Sequence, residues 1–306
     1  MNIEDKVSDK NLTNTEAQTN QKTLNDEEIN FEYEDDLDEE VSEEIISKLK
    51  EKVETAPRLE LTIKESLYLK VGLIIKINAL GLEEESLRGK KDGNVFFGII
   101  SPDDLKNNKK IDFSTKNNDI NKNDNNPIEY GRQFRIRYDL EKNCYFIKDC
   151  SRGSGYGSFM KVIQEMKIKD STLINIGDNY IVFTLGVDEL EPNETNNIDA
   201  EIEKVLSVKV FRGELVNYSY VFNQGQIDKI YIGNNESCNI VLNDNLLDDI
   251  HCSIEYKRNI GWVINDGYNN KKSQNGTWIS LTDETEIFEG MIIQSNQNIY
   301  QCHIIE

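Results

Sequence analysis

Asn275, Gly276 and Thr277 are the residues whose types and spacing most directly suggest chemistry, because they interrupt two apolar runs in the stretch "GWVINDGYNNKKSQNGTWI". An Asn-Gly pair between strands favours a tight turn, since both residues tolerate positive φ. The triplet is also an N-glycosylation acceptor in secreted chains. The N-terminal residues "MNIEDKVSDKN" have neither the basic nor the apolar region of a secretory signal, so we expect no glycan. A turn residue and a binding-loop residue both stay open for Asn275.

No set of residues typical of an active site is present elsewhere in the sequence. The five cysteines form no C-x-x-C pair, and the only histidines are His251 and His303, so we expect no metal site. The glycine-rich "RGSGYGS" (152–158) is not followed by a Lys-Ser/Thr pair and a helix, which argues against a nucleotide site. Arg132 and Arg152 are left as candidate anion contacts. We therefore expect neither enzymatic activity nor a cofactor.

The charge balance excludes two classes of partner. The chain has 56 acidic and 35 basic side chains and a net charge of −21. Binding to nucleic acid or to anionic lipid depends on Lys and Arg, so neither partner is expected. The longest apolar run, "VGLII" from Val71, is far shorter than the roughly 20 residues that span a bilayer. Proteins remain as the expected partners.

The cysteine count also bears on localisation. An odd number of cysteines without a recognisable signal favours reduced thiols. We expect an intracellular protein of the cytoplasm or nucleus, with association with the cytoskeleton as one alternative.

Hydrophobic periodicity predicts an all-β protein. In "QFRIRYD" (133–139) apolar and polar residues alternate, which is typical of a strand buried on one face, and many similar short runs follow residue 58. Only "EEIISKLKEKV" (43–53) has the apolar spacing of a short helix. Short strands at regular spacing favour β-sandwiches.

Composition divides the chain into four parts. The acidic, low-complexity residues 1–57 are expected to be disordered, with a docking or phosphorylation segment as the alternative. Residues 58–188 are predicted to form one sandwich with a disordered polar loop insertion near 105–127. Residues 189–203 are the predicted linker, and 204–306 the second sandwich. The stretches 130–159 and 249–278 share one layout, which indicates an internal repeat.

The second half carries a specific pattern. "IYIGNNESCNIVLNDNLLDDIHCSI", followed some twenty residues later by "NGTW", resembles the forkhead-associated (FHA) domain, whose pattern is I-G-R, then I-x-L, then S-x-x-H, then N-G-T. The resemblance implies a β-sandwich that binds phosphothreonine peptides through loops at one end. The 58–188 half resembles a degenerate copy, with Ile99, Gln133 and Tyr156 at the arginine, histidine and asparagine positions.

The resemblance also implies roles for individual residues of the second half. Gly233 matches the glycine of the I-G-R turn, and His251 matches the histidine that supports the binding loops from within. Asn275 matches the asparagine that hydrogen-bonds the peptide backbone, and Gly276 and Thr277 complete its turn. Thr277 is also expected to be one of the peptide-binding residues.

Two positions depart from the family pattern. Asn234 stands where the family has its phosphate-binding arginine, and Asp248 stands in place of the phosphate-contacting serine. Loss of a charged donor removes a bond worth roughly 1.5–3 kcal/mol. A carboxylate near a phosphate costs about 3 kcal/mol more per unit of phosphate charge. Phosphothreonine binding is therefore expected to be weak or lost, unless Lys271 and Lys272 in the same loop compensate.

These features predict a non-catalytic adaptor or scaffold built on tandem FHA-type modules. The alternative is a signalling protein that reads phosphothreonine peptides with help from the loop lysines. Self-association is a further alternative, because Thr23 in "TLNDEE" precedes an acidic residue by three positions and a phosphorylated tail would suit such a module.

Overall fold

The computed structural model describes residues 40–100, 110–116, 131–151, 157–186, 205–212, 215–225 and 227–306. Residues Val41–Glu306 form one compact unit. None of the helices in these ranges is long and apolar enough to cross a membrane.

The helix predicted for residues 43–53 is present as α1 (Glu43–Lys52). The Ser42 side chain caps it by accepting a hydrogen bond from the Ile45 amide. Leu49 is buried and lies against Gly93, where a Cβ would come within 3.0 Å of Leu49 Cδ1. The folded part of the chain therefore begins before residue 58, and the disorder expected for 1–57 does not apply to this helix. Residues 1–39 lie outside the described ranges.

The rest of the described chain forms strands. The first half contains β1 (Arg58–Ser66), β2 (Ile74–Asn78), β3 (Gly81–Leu82), β4 (Asn94–Ile99), β5 (Phe113–Ser114), β6 (Gly131–Asp139), β7 (Cys144–Asp149), β8 (Ser158–Lys161), β9 (Met166–Lys167), β10 (Thr172–Ile176) and β11 (Asn179–Gly186). The second half contains β12 (Val205–Arg212), β13 (Leu215–Asn223), β14 (Lys229–Gly233), β15 (Ile240–Val241), β16 (Cys252–Lys257), β17 (Gly261–Asp266), β18 (Trp278–Ser280), β19 (Thr285–Glu286), β20 (Ile292–Ser295) and β21 (Asn298–Ile305).

The strands form three sheets. An 11-stranded sheet has the order β13-β12-β11-β10-β18-β8-β20-β21-β1-β2-β3. Two five-stranded sheets have the orders β15-β14-β16-β17-β9 and β19-β7-β6-β4-β5. Buried residues of all three sheets belong to a single hydrophobic cluster. The all-β prediction is confirmed.

Alternation along the strands builds this core, as β6 illustrates. Phe134, Ile136 and Tyr138 are buried, whereas the residues between them are only partly buried. The Phe134 ring stacks on Phe97 of β4, with centroids 4.4 Å apart, and meets Tyr300 of the large sheet edge-on at 5.8 Å. The period-2 pattern thus places one face of this five-stranded sheet against the 11-stranded sheet.

Strands are exchanged between the two halves of the chain. First-half strand β9 completes the sheet of β14, β16 and β17, and second-half strand β19 completes the sheet of β4, β6 and β7. In the large sheet β11 pairs with β12, and β1 pairs with β21. Two sandwiches are present as predicted, but neither is built from 58–188 or from 204–306 alone. The predicted linker 189–203 lies outside the described ranges.

The exchange is reciprocal and follows a local two-fold pattern. β8 and β18 pair antiparallel, and beside this pair the Val162 amide donates to Thr277 O and the Leu281 amide donates to Ser158 O. Past these points each chain segment passes to the other sandwich. The same strand position in both halves therefore serves as the crossing point.

Carboxylates fix both crossings. Glu165 accepts a hydrogen bond from Lys257 Nζ at 2.5 Å. At the equivalent crossing, Glu284 accepts bonds from Arg135 and Arg137 at 2.9–3.0 Å. Each glutamate thus binds a cation supplied by the other half of the chain.

Part of the predicted loop insertion near 105–127 is ordered. Asp112 is buried, and its carboxylate accepts hydrogen bonds from the Arg88 guanidinium at 3.0 Å and from the Phe96 amide at 2.9 Å. The expectation of disorder is wrong for 110–116, because a buried ion pair and β5 hold these residues. The other residues of the insertion lie outside the described ranges.

Candidate functional site

Three loops of the second half come together at the end of β14. They connect β14 to β15, β15 to β16, and β17 to β18. Gly233 allows the first two loops to meet, since a Cβ at this position would lie 2.2 Å from the carbonyl oxygen of Asp249. Only glycine permits so close an approach of two backbones.

His251 joins the second loop to the third. Its side chain is fully buried, its Nδ1 accepts a hydrogen bond from the Asp248 amide at 3.4 Å, and its Nε2 lies 3.0 Å from the Gly276 carbonyl oxygen. An imidazole that accepts at Nδ1 carries its proton on Nε2, so Nε2 donates to Gly276. The histidine therefore lies where the family resemblance places it, beneath the loops.

Hydrogen bonds connect the loops that carry Asn234, Asp248 and Asn275. The Asn234 amide donates to the Asp248 carbonyl oxygen at 3.1 Å. The Asp248 carboxylate accepts from the Gln274 amide at 2.9 Å, and Asn275 Nδ2 donates to Leu246 O at 2.6 Å. Asp248 is thus a brace between two loops as well as a negative charge at the site.

Thr277 does not have the exposed position that a peptide contact requires. It is fully buried, and its hydroxyl donates to the Asp266 carboxylate at 2.9 Å. Ser273 donates to the same carboxylate at 2.6 Å and accepts from the Gly276 amide at 2.9 Å. The predicted peptide contact of this hydroxyl is corrected accordingly, because the hydroxyl holds the loop in shape. Sequence reasoning missed Asp266 and Ser273, although both sandwich halves have a strand ending in Asp.

A groove of about 610 Å³ opens between the three loops. Its polar lining includes Asn235, Ser237, Asp248, Tyr268, Lys271 and Lys272. Both lysines are exposed, and neither forms an ion pair with any residue that the structure describes. The groove therefore combines carboxylate, ammonium and neutral hydrogen-bonding groups, a lining that suits a polar peptide segment. Asn235, Ser237 and Tyr268 were not predicted.

Lys161, which comes from the first half, supports the third loop. Gly276 has φ +80°, and a Cβ there would lie 2.3 Å from Lys161 Cε. The Lys161 ammonium is 5.5 Å from the centre of the Trp278 ring. An exchanged strand thus packs directly on the loop that holds Asn275.

The first half repeats this loop scaffold with different side chains. Gly98 corresponds to Gly233, since a Cβ there would lie 2.0 Å from the Gly131 carbonyl oxygen. Gln133 occupies the histidine position, is buried, and accepts from the Thr115 hydroxyl at 2.8 Å. Ile99, at the arginine position, is buried and offers no charge.

Of the predicted anion contacts of the first half, Arg132 lies within the described ranges. Arg132 donates to the Lys110 carbonyl oxygen at 2.9 Å and lies 3.9 Å over the Phe96 ring. Arg132 is therefore engaged inside the fold. Arg152 and Tyr156 lie outside the described residues.

Residues 230–296 match the family model of the FHA domain. The chain contains an FHA domain. Among solved structures, it is similar to the FHA domain of the CT664 protein from Chlamydia trachomatis, with 14% identity over 33% of this chain and 96% of that chain and a TM-score of 0.20. It is also similar to a structure from a structural and functional analysis of phosphothreonine-dependent FHA domain interactions, with 15% identity, coverage of 33% and 95%, and a TM-score of 0.18. No curated protein matches the chain.

The FHA domain match contains every site residue predicted for the second half. It extends from β14 to the end of β20, whereas the sheet to which β14 belongs also includes β9 from the first half. The FHA domain is therefore completed by strands that lie outside the matched residues.

Proposed function

We propose that this protein is a non-catalytic adaptor whose FHA domain binds a segment of a partner protein in the groove between its three loops, with little dependence on threonine phosphorylation. FHA domains are protein-interaction modules, and the loops here are fixed to one another by His251, Asp248 and Asn275. A groove with fixed walls loses little entropy when a peptide binds.

The pairing of Asn234 with Asp248 is the observation that supports a weak dependence of peptide affinity on threonine phosphorylation. Their backbones are hydrogen-bonded at 3.1 Å, so the position that lacks the cation is next to Asp248, whose added carboxylate belongs to a residue lining the groove. Loss of the charged bond costs roughly 1.5–3 kcal/mol, and the carboxylate adds about 3 kcal/mol of repulsion. Their sum corresponds to roughly a thousandfold or more in affinity.

The second candidate function is phosphothreonine recognition that uses lysines in place of the arginine. Lys271 and Lys272 favour it, because both line the same groove and are not engaged in an ion pair with any described residue. An ammonium group supplies charge but not the bidentate geometry of a guanidinium. Phosphate would then bind beside the loop that connects β17 to β18, which carries both lysines.

Calorimetric titration of the full chain with peptide pairs that differ only in threonine phosphorylation tests the proposal. We expect the two Kd values of a pair to agree within about tenfold, and Asn234→Arg to tighten the phosphorylated member at least tenfold by restoring a charged donor. The proposal would be overturned by a phosphopeptide that binds the unchanged protein with a micromolar or lower Kd and far more tightly than the same peptide without the phosphate.

Two lysine variants separate the candidates. Under the second function, Lys271→Ala with Lys272→Ala weakens phosphopeptide binding at least tenfold, whereas Lys209→Ala, an exposed lysine on β12, does not. Under the first function, neither change alters the ratio of the two Kd values.

A further inference from the structure

The edges of the three sheets are protected unequally. Of the six edge strands in the described part of the chain, β3, β5, β9, β15 and β19 are two residues long. β13 is nine residues long. Very short edge strands are a common protection against pairing with other chains, and β13 lacks it.

β13 has one β-bulge, at the register shift opposite Val210 and Phe211 of β12, but its residues 218–223 pair regularly and lack the other common protections. Its sequence, "LVNYSYVFN", contains no charged residue and no proline, and Tyr218 and Val221 are 53% and 63% exposed. Within the described residues it pairs only with β12. The equivalent strand of the first half, β2, is covered by β3 and carries a charged residue, Lys76. The Lys76 carbonyl oxygen accepts a hydrogen bond from the Glu83 amide. The outer row of β13 amides and carbonyls therefore faces no strand among the residues that the structure describes.

We infer that β13 is a dimerisation strand, which pairs antiparallel with β13 of a second copy about a two-fold axis at Ser219. This register places Tyr218 of each copy opposite Tyr220 of the other copy. Cross-strand aromatic pairs of this kind stabilise sheets. A strand that is self-complementary about its centre is what an isologous interface requires.

The charge distribution favours a second copy of the chain, rather than a charged partner protein, as the molecule that pairs with β13. The chain has a net charge of −21, so most of its surface repels another copy. β13 contributes no charge, and its pairing brings no like charges directly opposite each other. The two large sheets then continue into one another across the axis.

Light-scattering mass measurement of the full chain over about 1 to 200 µM tests this inference. We expect a mass of twice 35.3 kDa at the upper concentrations. Val221→Lys introduces a protective charge on the edge and should raise the dimer Kd at least tenfold, roughly 1.4 kcal/mol. The matched change Ile74→Lys, at an exposed aliphatic residue of β2, should leave the Kd unchanged.

Oxidative cross-linking tests the register. Directly opposed residues of an antiparallel pair have Cα atoms about 4.5–5.5 Å apart, which a disulfide spans. Ser219→Cys should therefore give a covalent dimer, whereas the unchanged protein and Val241→Cys on β15 should not. A monomer at every concentration, a dimer insensitive to Val221→Lys, or a dimer without the Ser219→Cys cross-link would each overturn the inference.

Discussion

Single buried polar residues hold the binding loops of the FHA domain in place. His251 is the central one, because each of its nitrogens bonds a backbone group of a different loop. Buried polar groups that lose their partners cost far more than exposed ones, so the groove depends on a residue that contacts no ligand.

We predict that His251→Ala lowers the free energy of unfolding by about 2–4 kcal/mol, because it leaves a cavity and two buried backbone groups without partners. Urea denaturation followed by tryptophan fluorescence measures the change. His303 provides the control, since it lies partly exposed beside Glu289, and His303→Ala should cost less than about 1 kcal/mol. Equal losses for the two variants would contradict the assigned role of His251.

At the scale of residues, the sequence indicates which loop carries each site residue, but it does not indicate which groups the side chains contact. For example, it did not predict that Asp248 bonds the Gln274 amide or that Thr277 is buried, because such contacts depend on the loop conformation. The peptide-binding roles of Asn234, Asp248 and Asn275 stay predictions.

At the scale of elements, the two crossings decide how the strands are distributed. Glu284 lies between β18 and β19 and binds the guanidinium groups of Arg135 and Arg137 on β6. The hydrogen bond from Arg137 is the main reason that the pKa of Glu284 lies below its ordinary value of 4.5. This ionised pair ties the exchanged segment to the sheet that receives it.

We predict that Glu284→Gln destabilises the protein by about 1–2 kcal/mol at neutral pH, since it removes charge-assisted hydrogen bonds at a partly exposed site. A carboxyl group with a lowered folded-state pKa stabilises the fold above its unfolded-state pKa and loses that effect as the pH falls through the folded value. The difference between wild type and variant should therefore be largest above the ordinary pKa of 4.5 and narrow below it.

Urea midpoints at a series of pH values measure this difference. The neighbouring change Asp283→Asn is the control, because the ion pair of Asp283 with Lys169 is exposed and 3.6 Å long. Its effect should stay within about 0.5 kcal/mol at every pH. A stability difference between wild type and Glu284→Gln that does not change with pH would contradict the ionic role of Glu284.

At the scale of the whole molecule, the exchange makes the two halves one compact unit. The strands of residues 166–186 and 285–305 each complete sheets of the opposite half. Strand periodicity predicted the all-β class, and the internal repeat with the family resemblance predicted two sandwiches, but none of these predicted the exchange. Both halves carry equivalent strands, so the alternation of apolar residues is the same whichever half a strand joins.

We predict that cutting the chain between residues 189 and 203 does not separate its halves. A protease site introduced there and cleaved under native conditions should leave two fragments that co-elute in gel filtration at micromolar concentration. The interlocked strands hold them, and only denaturant should release them. The uncleaved variant is the control, and fragments that elute separately in buffer would contradict the exchange.

The pairing of β1 with β21 joins the first strand of the described chain to the last. During synthesis, residues 58–186 leave the ribosome before the strands that complete their sandwich exist. At typical elongation rates of 5–20 residues per second, the missing strands arrive roughly 5 to 25 seconds later. For that interval the newly made half exposes apolar surface and unpaired β1, so its sandwich cannot be completed until the second half has been made, and the nascent chain is a natural substrate for chaperones.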